Sequence, residues 1–592
     1  MLTTWTRREV ALVLALGAVA GCASTDDRLV APPVNPPANT SANTPANTTM
    51  SSSVSDPQVV DAAGPAGPFV LADEDAPQVV DGDDWSLPEW VRPASNSGFF
   101  SEDAAPSQSV FVRSVDVSWR QIAPEPGVIE MAAAGEAQGL SFASLAEQLA
   151  NPAPFWMRVF ASGADWAPEW VIEDCDVEAY GPDYDGQEHL PIWDDCVWGH
   201  LRDTYEALFV DQQIAQDPRM RFVYMPGAFT WVEYDYDIIN DAVARGDLDF
   251  ATYYAWYRMM LGDLSAIFGD YVFKVVFTGE DYPFGEFGRD DDLLAREAVD
   301  AGLGIRTGIT ELSNFHLSEA PAYGSHVQPD GHLVVADEEP PHDGRRIVAT
   351  ENECYNDCGY TTSDTYYAIR QSNLKALQLR MNWIYVVPEP SEMDRLANHW
   401  DWVRLSMGHT ARDSADAWAA LRDAEDTYWN EDDSISWVTA PYVRNLERWL
   451  VQRDRPGCVA NRSEVDVHHA VLAPENGTAY EGLTTARADG ETGMCFDLSE
   501  LFLGNQPVDV AVKVTYLDAG SGQFVIEHGG ETSAAVNRTG DGRWKTATIR
   551  VPALASSAED VDFAVRTIDG DDLVVRFVRV VKLDAPTDLP GP

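Results

Sequence analysis

Basic residues are scarce in this sequence. The 592 residues include 40 Lys and Arg against 96 Asp and Glu, which gives a formal charge of −56. A protein that binds nucleic acid or an anionic membrane surface needs a basic field to neutralise phosphates, so the composition argues against both partners. Most of this charge is predicted to be solvated surface.

The apolar run near the N-terminus, Val10–Val19, is also too short to span a bilayer, which takes roughly 20 residues. It follows Arg7 and Arg8 and precedes Val-Ala-Gly-Cys22, a pattern typical of an export signal. The last four residues resemble the lipobox of bacterial lipoproteins, which implies that residues 1–22 are a signal peptide and that Cys22 is lipidated. The predicted location is the cell envelope, at the outer membrane or cell surface, with the lipid as the only membrane contact. Whether export is general or twin-arginine stays open.

Residues 23–60 lack apolar periodicity and consist largely of Pro, Asn, Thr, Ser and Ala. Such a segment cannot bury a core, so it is predicted to be a disordered tether.

Cysteine is rare, with seven in the chain. Beyond Cys22 the remaining six fall into three sequence-local pairs that suit an exported protein: Cys175 with Cys196, Cys354 with Cys358, and Cys458 with Cys495. Other pairings stay open, and zinc is the alternative. Because no Cys-x2-Cys spacing occurs, no metal site is predicted.

From about residue 110 to residue 405, short β-rich apolar runs alternate with helical segments. Seven such runs favour a closed (β/α)8 TIM barrel over residues 61–456, with the first strand expected within Gly67–Phe100. The expected strands are Val110–Val117, Phe155–Phe160, Phe222–Met225, Val272–Phe277, Gly304–Ile309, Arg346–Ala349 and Trp383–Val387. The expected helices are Phe142–Leu149, Trp198–Phe209, Phe250–Phe268, Asp292–Ala301, Thr365–Leu379 and Met393–Leu405.

The texture changes after Trp449 to short alternating strands separated by Gly, Asp and Asn turns. This pattern predicts an antiparallel β-sandwich over residues 457–585, with the boundary near Gly457. The fold class is therefore α/β, a barrel followed by a sandwich. The sandwich looks like the accessory modules of polysaccharide-degrading enzymes, which bind glycans or buttress the barrel.

Carboxylates and tryptophans follow the ends of the predicted barrel strands, where the reactive groups of such barrels lie. Two segments stand out: Arg221–Glu233, a strand followed by an aromatic-flanked Glu, and Arg346–Glu353, a strand that ends directly in carboxylates. Indole rings stack on sugar faces, while two carboxyl groups supply the acid and the nucleophile of glycoside cleavage.

Three segments resemble the clan of retaining glycoside hydrolases that includes the bacterial β-galactosidases. Trp119–Gly127 (WRQIAPEPG) is similar to its second-strand motif W-x-x-(I/L)-x-P-x-x-G, Phe155–Trp170 to its third strand with a P-x-W loop, and Gly227–Glu233 to a G…W-G-E fourth strand. With this numbering of strands, Glu233 follows strand four and Glu351 ends strand seven, the clan's positions for the acid/base and the nucleophile.

The resemblance implies double displacement. Glu351 attacks the anomeric carbon, and Glu233, whose protonated form nearby Trp rings and the companion carboxylate favour, protonates the leaving group. Glu353 competes with Glu351, because both have the same strand parity. The other predicted substrate-binding residues are Trp119, Trp166, Trp231, Arg158, Asn352 and Glu353. Val232 replaces the residue that precedes the clan's acid, an Asn in most members and a Gly in the W-G-E form.

The sequence thus predicts a retaining glycoside hydrolase that cleaves a polysaccharide or oligosaccharide. The alternative is a glycan-binding surface lipoprotein whose barrel has lost catalysis. No Gly-rich phosphate loop, His-Glu-x-x-His helix or Gly-x-Ser-x-Gly elbow occurs, so no cofactor is predicted. Endo or exo action, the sugar and the oligomeric state are left open.

Overall fold

Eight parallel strands close into a barrel in the computed structural model. In chain order they are β1 Gly98–Phe100, β2 Phe111–Ser118, β3 Phe155–Phe160, β4 Met220–Tyr224, β5 Val275–Gly279, β6 Gly304–Thr307, β7 Val348–Asn352 and β8 Trp383–Val386. Closure comes from β8 pairing in parallel with β1, with Trp383 opposite Gly98. The predicted (β/α)8 barrel is confirmed, and its first strand lies at the very end of the expected interval.

The structure describes residues 69, 76–102, 106, 110–137, 139–183, 185–234, 236–279, 293–308, 310, 320–352, 365–386, 393, 396–422, 444–462, 482–504, 506–557 and 560–585. They all belong to one compact unit, residues 58–592. Among these residues, no helix combines the length and the apolar character needed to cross a bilayer.

Helices follow most barrel strands and form its outer layer. They are α1 Trp119–Ile122, α2 Leu145–Ala150, α3 Glu169–Cys175, α4 Asp195–Tyr205, α5 Tyr236–Arg245, α6 Phe250–Phe268, α7 Leu293–Asp300, α8 Thr365–Gln378 and α9 Ala397–Ser406. Capping sets several starts: Asp194 accepts from two backbone N–H groups at the start of α4, and Asp249 accepts from Thr252 at the start of α6. The α6 bounds match the prediction.

Aromatic rings fill the barrel interior. Phe222 of β4 lies 5.0 Å from Phe100 of β1, 5.6 Å from Trp156 of β3 and 5.7 Å from Trp383 of β8, measured between ring centroids. Alternating strand residues point inward, so rings from non-adjacent strands meet on the axis. The interior is a packed core, and a ligand site is therefore confined to the rim.

Antiparallel sheets follow the barrel, as predicted. Their strands are β9 Asp416–Ala420, β10 Leu446–Arg448, β11 Leu450–Arg453, β12 Asn461–Arg462, β13 Leu483–Thr484, β14 Gly493–Leu498, β15 Val508–Leu517, β16 Gly522–His528, β17 Glu531–Thr532, β18 Val536–Arg538, β19 Trp544–Leu554, β20 Phe563–Thr567 and β21 Val574–Lys582, with a short helix α10 Glu500–Leu503. One sheet runs β19-β15-β21-β9-β10, and the other runs β11-β14-β20-β16-β17.

The first of these sheets takes strands from well before Gly457. Strand β9 pairs with β21, and a strand at Gln78–Asp81 pairs with β19. These pairings join segments far apart in sequence, so no local turn signal marks them. The first strands of this sheet therefore lie earlier in the chain than Trp449, after which the sequence pattern changes.

Two of the three predicted disulfides are confirmed: Cys175–Cys196 and Cys458–Cys495. The first joins the end of α3 to α4, and the second joins the loop after β11 to β14. The predicted pair Cys354–Cys358 lies outside the described residues.

Candidate active site

Glu233 and Glu351 are brought together at the carboxyl end of the barrel by one arginine. Arg306 of β6 contacts an oxygen of Glu233 at 2.8 Å with Nη1 and an oxygen of Glu351 at 2.5 Å with Nη2. The arginine side chain is 1% exposed, whereas those of Glu233 and Glu351 are 24% and 12% exposed. The guanidinium is thus buried below two carboxylates that still reach solvent.

Glu351 owes its place to strand β7. It is paired in register with Tyr385 of β8, and the hydroxyl of Thr310 donates to its backbone oxygen at 3.2 Å. A strand residue has little freedom, so its carboxylate direction is fixed by the barrel itself.

Glu233 sits instead in a tight turn after β4. The backbone N–H of Glu233 donates to the backbone oxygen of Thr230 at 2.8 Å. The backbone N–H of Phe229 donates to the backbone oxygen of Glu233 at 2.6 Å. Trp231 and Val232 have φ values of 54° and 65°. A β-branched residue in the left-handed region is strained, and such strain is retained only where the surroundings impose it.

Val232, the residue at which this sequence differs from the motif of the glycoside hydrolases, is thus also a residue with positive φ. Val232 occupies the position at which the W-G-E form has glycine, the residue suited to positive φ. The hydroxyl of Thr278 on β5 donates to the oxygen of Val232 at 2.7 Å and helps to hold this conformation.

Tyr224 lies beside the arginine that contacts both carboxylates. It is the last residue of β4, fully buried, and its ring lies 5.6 Å from the Arg306 guanidinium. Burial raises the pKa of Tyr224 well above its usual value; Arg306 opposes the shift, and Glu233, Glu102 and Glu351 add to it. Its hydroxyl has no hydrogen-bond partner among the described residues, which makes it a site residue that the sequence analysis missed. A tyrosine at a strand end next to Met and Pro carries no signal of its own.

Arg158, predicted to bind substrate, contacts two carboxylates, and its role in binding stays a prediction. It lies buried on β3 and forms ion pairs with Asp116, at 2.9 Å, and with Glu102. Burial alone would lower the pKa of Arg158, but the charges of Asp116 and Glu102 raise it overall. These contacts fit structural support of the rim, while Glu102, at 29% exposure, still reaches solvent.

Trp119 and Trp166, both predicted to stack on sugars, are buried. Trp119 is 0% exposed and donates its indole N–H to Thr204 of α4 at 3.0 Å. Trp166 is 3% exposed and packs edge-on against Phe160. Neither ring has a free face for a sugar, because the helices and loops outside the strands cover them.

Trp231 is the predicted stacking residue that remains half-exposed. Its indole N–H donates to Asp185 at 2.8 Å, and its ring lies edge-on to Phe160 at 6.4 Å. It lies two residues before Glu233, in the same turn. Asn352 lies in β7, but its side chain is outside the described part of the structure, as is Glu353.

A buried polar network lies beside the Glu233 turn and was not predicted. The carboxylate of Asp183 accepts from Thr230 at 2.6 Å and is 2.7 Å from Nε2 of His189. Nδ1 of His189 is 2.9 Å from the hydroxyl of Ser162. The four side chains lie at most 5% exposed. They come from the loop after β3, the loop after α3 and the Glu233 turn, a combination that no local motif reveals.

One group of side chains in the described ranges has the spacing of a metal site: Asp174, Cys175, Cys196 and His200. Its two sulfurs are joined in a disulfide, so neither can act as a thiolate ligand. These residues therefore do not fit a zinc or other thiolate-bound ion.

Comparison with known proteins adds no assignment. A scan against protein-family models finds no match, and a search of curated proteins finds no similar sequence. The likeness to retaining glycoside hydrolases therefore rests on the three motifs and on the geometry of the rim.

Proposed function

We propose that the protein is a retaining glycoside hydrolase, with Glu351 as nucleophile and Glu233 as acid/base. The observation that carries the proposal is the contact of both carboxylates with the two terminal nitrogens of Arg306. Retaining enzymes need their carboxyl groups about 5–5.5 Å apart, a separation that one guanidinium can bridge. Both groups also reach solvent at the end of the barrel where catalysis occurs in this fold.

The charges at the site suit the two roles. Glu233, Glu351 and Arg306 together carry one net negative charge, so uptake of one proton leaves the group neutral. Two carboxylates near one another favour such uptake, because like charges disfavour ionisation of both. In the proposed mechanism, Glu233 gives this proton to the leaving oxygen while the Glu351 carboxylate attacks the anomeric carbon.

We also propose that the protein is exported and anchored through a lipid on Cys22. The two disulfides support an oxidising compartment. Metabolic labelling with a radioactive fatty acid tests the anchor; the label should be lost in Cys22→Ala.

Substitution of the two glutamates tests the enzymatic proposal. On a glycan that the protein hydrolyses, found with a panel of neutral polysaccharides and aryl glycosides, Glu233→Gln should reduce kcat by about 10²–10⁴-fold, and Glu351→Gln at least as much. Glu297→Gln is the matched control, because Glu297 is similarly exposed (26%) and pairs with Arg258, away from the strand ends.

Two further results complete this test. Proton NMR should show that the first product has the anomeric configuration of the substrate, and a 2-fluoro glycoside should leave a covalent adduct on Glu351. Full activity of either glutamine variant, or an inverted product, would contradict the assignment. An adduct on Glu353 would transfer the nucleophile role to that residue.

One observation favours the alternative of a non-catalytic glycan-binding protein. Arg306 occupies both carboxylates at once, as in a structural ion-pair cluster. Binding of a polysaccharide in a gel-retardation assay, together with no hydrolysis of it over days, would support this alternative.

A further inference from the structure

We propose that the loop between Cys175 and Cys196 holds Glu233 in the site, and that Asp183 is its positioning residue. The inference deepens the proposed function and rests on it, because it assigns a role to residues that act on the acid/base. We call residues 176–195 the clamp loop.

The clamp loop contacts the Glu233 turn through two side-chain hydrogen bonds. Asp183 accepts from the hydroxyl of Thr230 at 2.6 Å, and Asp185 accepts from the indole N–H of Trp231 at 2.8 Å. Thr230 and Trp231 are the third and second residues before Glu233. The clamp loop therefore holds the part of the turn that sets the direction of this carboxylate.

A turn with this backbone needs such support. Trp231 and Val232 both have positive φ, and each costs on the order of a kcal/mol or more relative to an ordinary conformation. Without contacts on both sides the turn would relax toward negative φ and carry Glu233 away from Arg306. Thr278 of β5, which follows the turn in the chain, donates a hydrogen bond to Val232. The clamp loop, which precedes the turn in the chain, accepts one from Thr230.

Asp183 is itself fixed within the clamp loop. Its Oδ1 accepts from the backbone N–H groups of Asp185 at 2.9 Å and Gln187 at 2.8 Å, while Oδ2 faces His189 and Thr230. These bonds outweigh burial, which alone would raise the pKa of Asp183, and lower it overall. Asp183 thus stays an ionised acceptor on both of its oxygens.

The loop is in turn tied to the barrel. His189 is within hydrogen-bond distance of Ser162, which follows β3. Within the loop, His189 and Tyr180 exchange two backbone hydrogen bonds at 2.8 Å each. The disulfide Cys175–Cys196 closes the base of the loop. The contacts therefore form a continuous support from the end of β3 to Glu233.

The order Ser162, His189, Asp183 also resembles a hydrolytic triad, but it does not act as one. Ser162 is 1% exposed and His189 is 0% exposed, so no substrate carbonyl can reach the serine. The imidazole is also held on both sides, by the serine and by the aspartate. Its role is to orient Asp183.

Leaving-group dependence distinguishes positioning of an acid from a general loss of structure. We would measure kcat for wild type, Asp183→Ala and Thr230→Val on 2,4-dinitrophenyl and unactivated phenyl glycosides of the sugar that the panel identifies. The dinitrophenolate leaves without protonation, whereas the phenolate needs the acid. Both variants should lose at least about tenfold on the phenyl glycoside and less than about threefold on the dinitrophenyl glycoside.

Thr230→Val removes the hydroxyl and keeps the shape of the side chain, so it remains informative if Asp183→Ala folds poorly. Asp518→Asn is the matched control: Asp518 is buried in the sandwich and also accepts from a threonine hydroxyl, that of Thr539. This control should lower the melting temperature and leave the ratio of the two rates unchanged. Equal losses on both glycosides in Thr230→Val would overturn the proposal.

A second measurement does not depend on hydrolysis. Hydrogen exchange at the backbone amides of Val232 and Glu233 should speed up at least about tenfold in Thr230→Val, while amides of β7 stay unchanged. Faster exchange without any hydrolase activity in the wild type would refute the proposed function and keep the clamp. Unchanged exchange would refute the clamp itself, whatever the enzyme does.

Discussion

Arg158 and Arg306 are two buried arginines with similar neighbours, namely aromatic rings and carboxylates. Arg158 stacks on Trp156 and Phe160, and Arg306 stacks on Tyr224 and Tyr385, with 5.1–5.6 Å between guanidinium carbon and ring centroid. Each also contacts two carboxylates, which offsets the cost of burying the charge. One of the two carboxylates that Arg158 contacts, Asp116, is buried, and the other, Glu102, is 29% exposed. Both carboxylates that Arg306 contacts reach solvent.

This difference leads to a test by lysine substitution. Arg306→Lys keeps the charge, but an ammonium cannot hold two carboxylates in a planar fork. We expect kcat on the hydrolysed glycan to fall by at least about tenfold. Arg158→Lys is the matched control, because it changes the same kind of cluster on β3; it should lower the melting temperature and change kcat by less than about threefold. Similar losses of kcat in both would show that the two clusters are not functionally distinct.

The sequence could predict that Glu233 follows the fourth strand and that Glu351 lies at the end of the seventh. The apolar runs locate the strands, and the Trp119–Gly127 motif indicates which of them is the second. What each side chain contacts could not be predicted. Trp119 and Trp166 sit at strand ends as expected, but only packing by α4 and neighbouring loops shows that they are covered. Arg306 stands alone in β6, and nothing in its neighbourhood in sequence indicates two carboxylate partners from other strands.

At the scale of elements, loops carry as much of the site as strands do. The barrel supplies Glu351, Arg306 and Tyr224, and the clamp loop supplies the contacts that hold Glu233. The alternation of apolar runs predicts strands and helices well, since periodicity is a local property. A 20-residue connection held by Asp183 and His189 has no periodicity, so its structure could not be predicted.

A turn of the sandwich illustrates how one loop sets the response to acid. Asp518, after β15, accepts from the backbone N–H of Thr539 at 2.8 Å, that of Gly540 at 3.1 Å, and from Lys545 at 2.6 Å. Burial alone would raise the pKa of Asp518, but these bonds lower it below its usual value, to about 2.

The sign of the pH effect follows from that lowered pKa. A carboxylate with a lower pKa in the folded state stabilises the fold fully above pH about 4 and loses this contribution as the pH falls toward about 2. Thermal unfolding of wild type and Asp518→Asn between pH 2 and pH 6 should show the gap in melting temperature narrowing over that interval. A gap that stays constant down to pH 2 would contradict the assignment.

At the scale of the whole molecule, a short N-terminal segment joins the barrel to the sandwich. Asp84 forms an ion pair with Lys513 of β15, and Asp83 pairs with Arg576 of β21 at 2.8 Å. Trp85 packs at 4.6 Å from Trp402 of the barrel helix α9. Burial lowers the pKa of Lys513 to about 8 although Asp84 opposes the shift, so the lysine depends on its partner.

Truncation tests this joint. A chain that begins at Val91 lacks the segment and leaves Lys513 buried without its partner carboxylate, which costs about 3–5 kcal/mol for a buried pair. We expect its melting temperature to fall clearly in calorimetry, and the barrel and sandwich to unfold in separate transitions. A chain that begins at Gly67 keeps the segment, and we expect it to unfold in one transition, with the full chain as the reference. Identical unfolding of both truncated chains would refute the role of the segment.

The strand Gln78–Asp81 also decides how the molecule behaves toward its own copies. It pairs with Lys545–Thr548 and so covers four of the 11 residues of β19, which would otherwise be the open edge of the larger sheet. The rest of β19 contains Pro552, which has no N–H to offer a further strand. Proteolysis before residue 82 would release this strand and leave the backbone N–H and C=O groups along Lys545–Thr548 without their pairing strand. An edge of this kind recruits other chains, so the nicked protein should self-associate while its barrel is still folded.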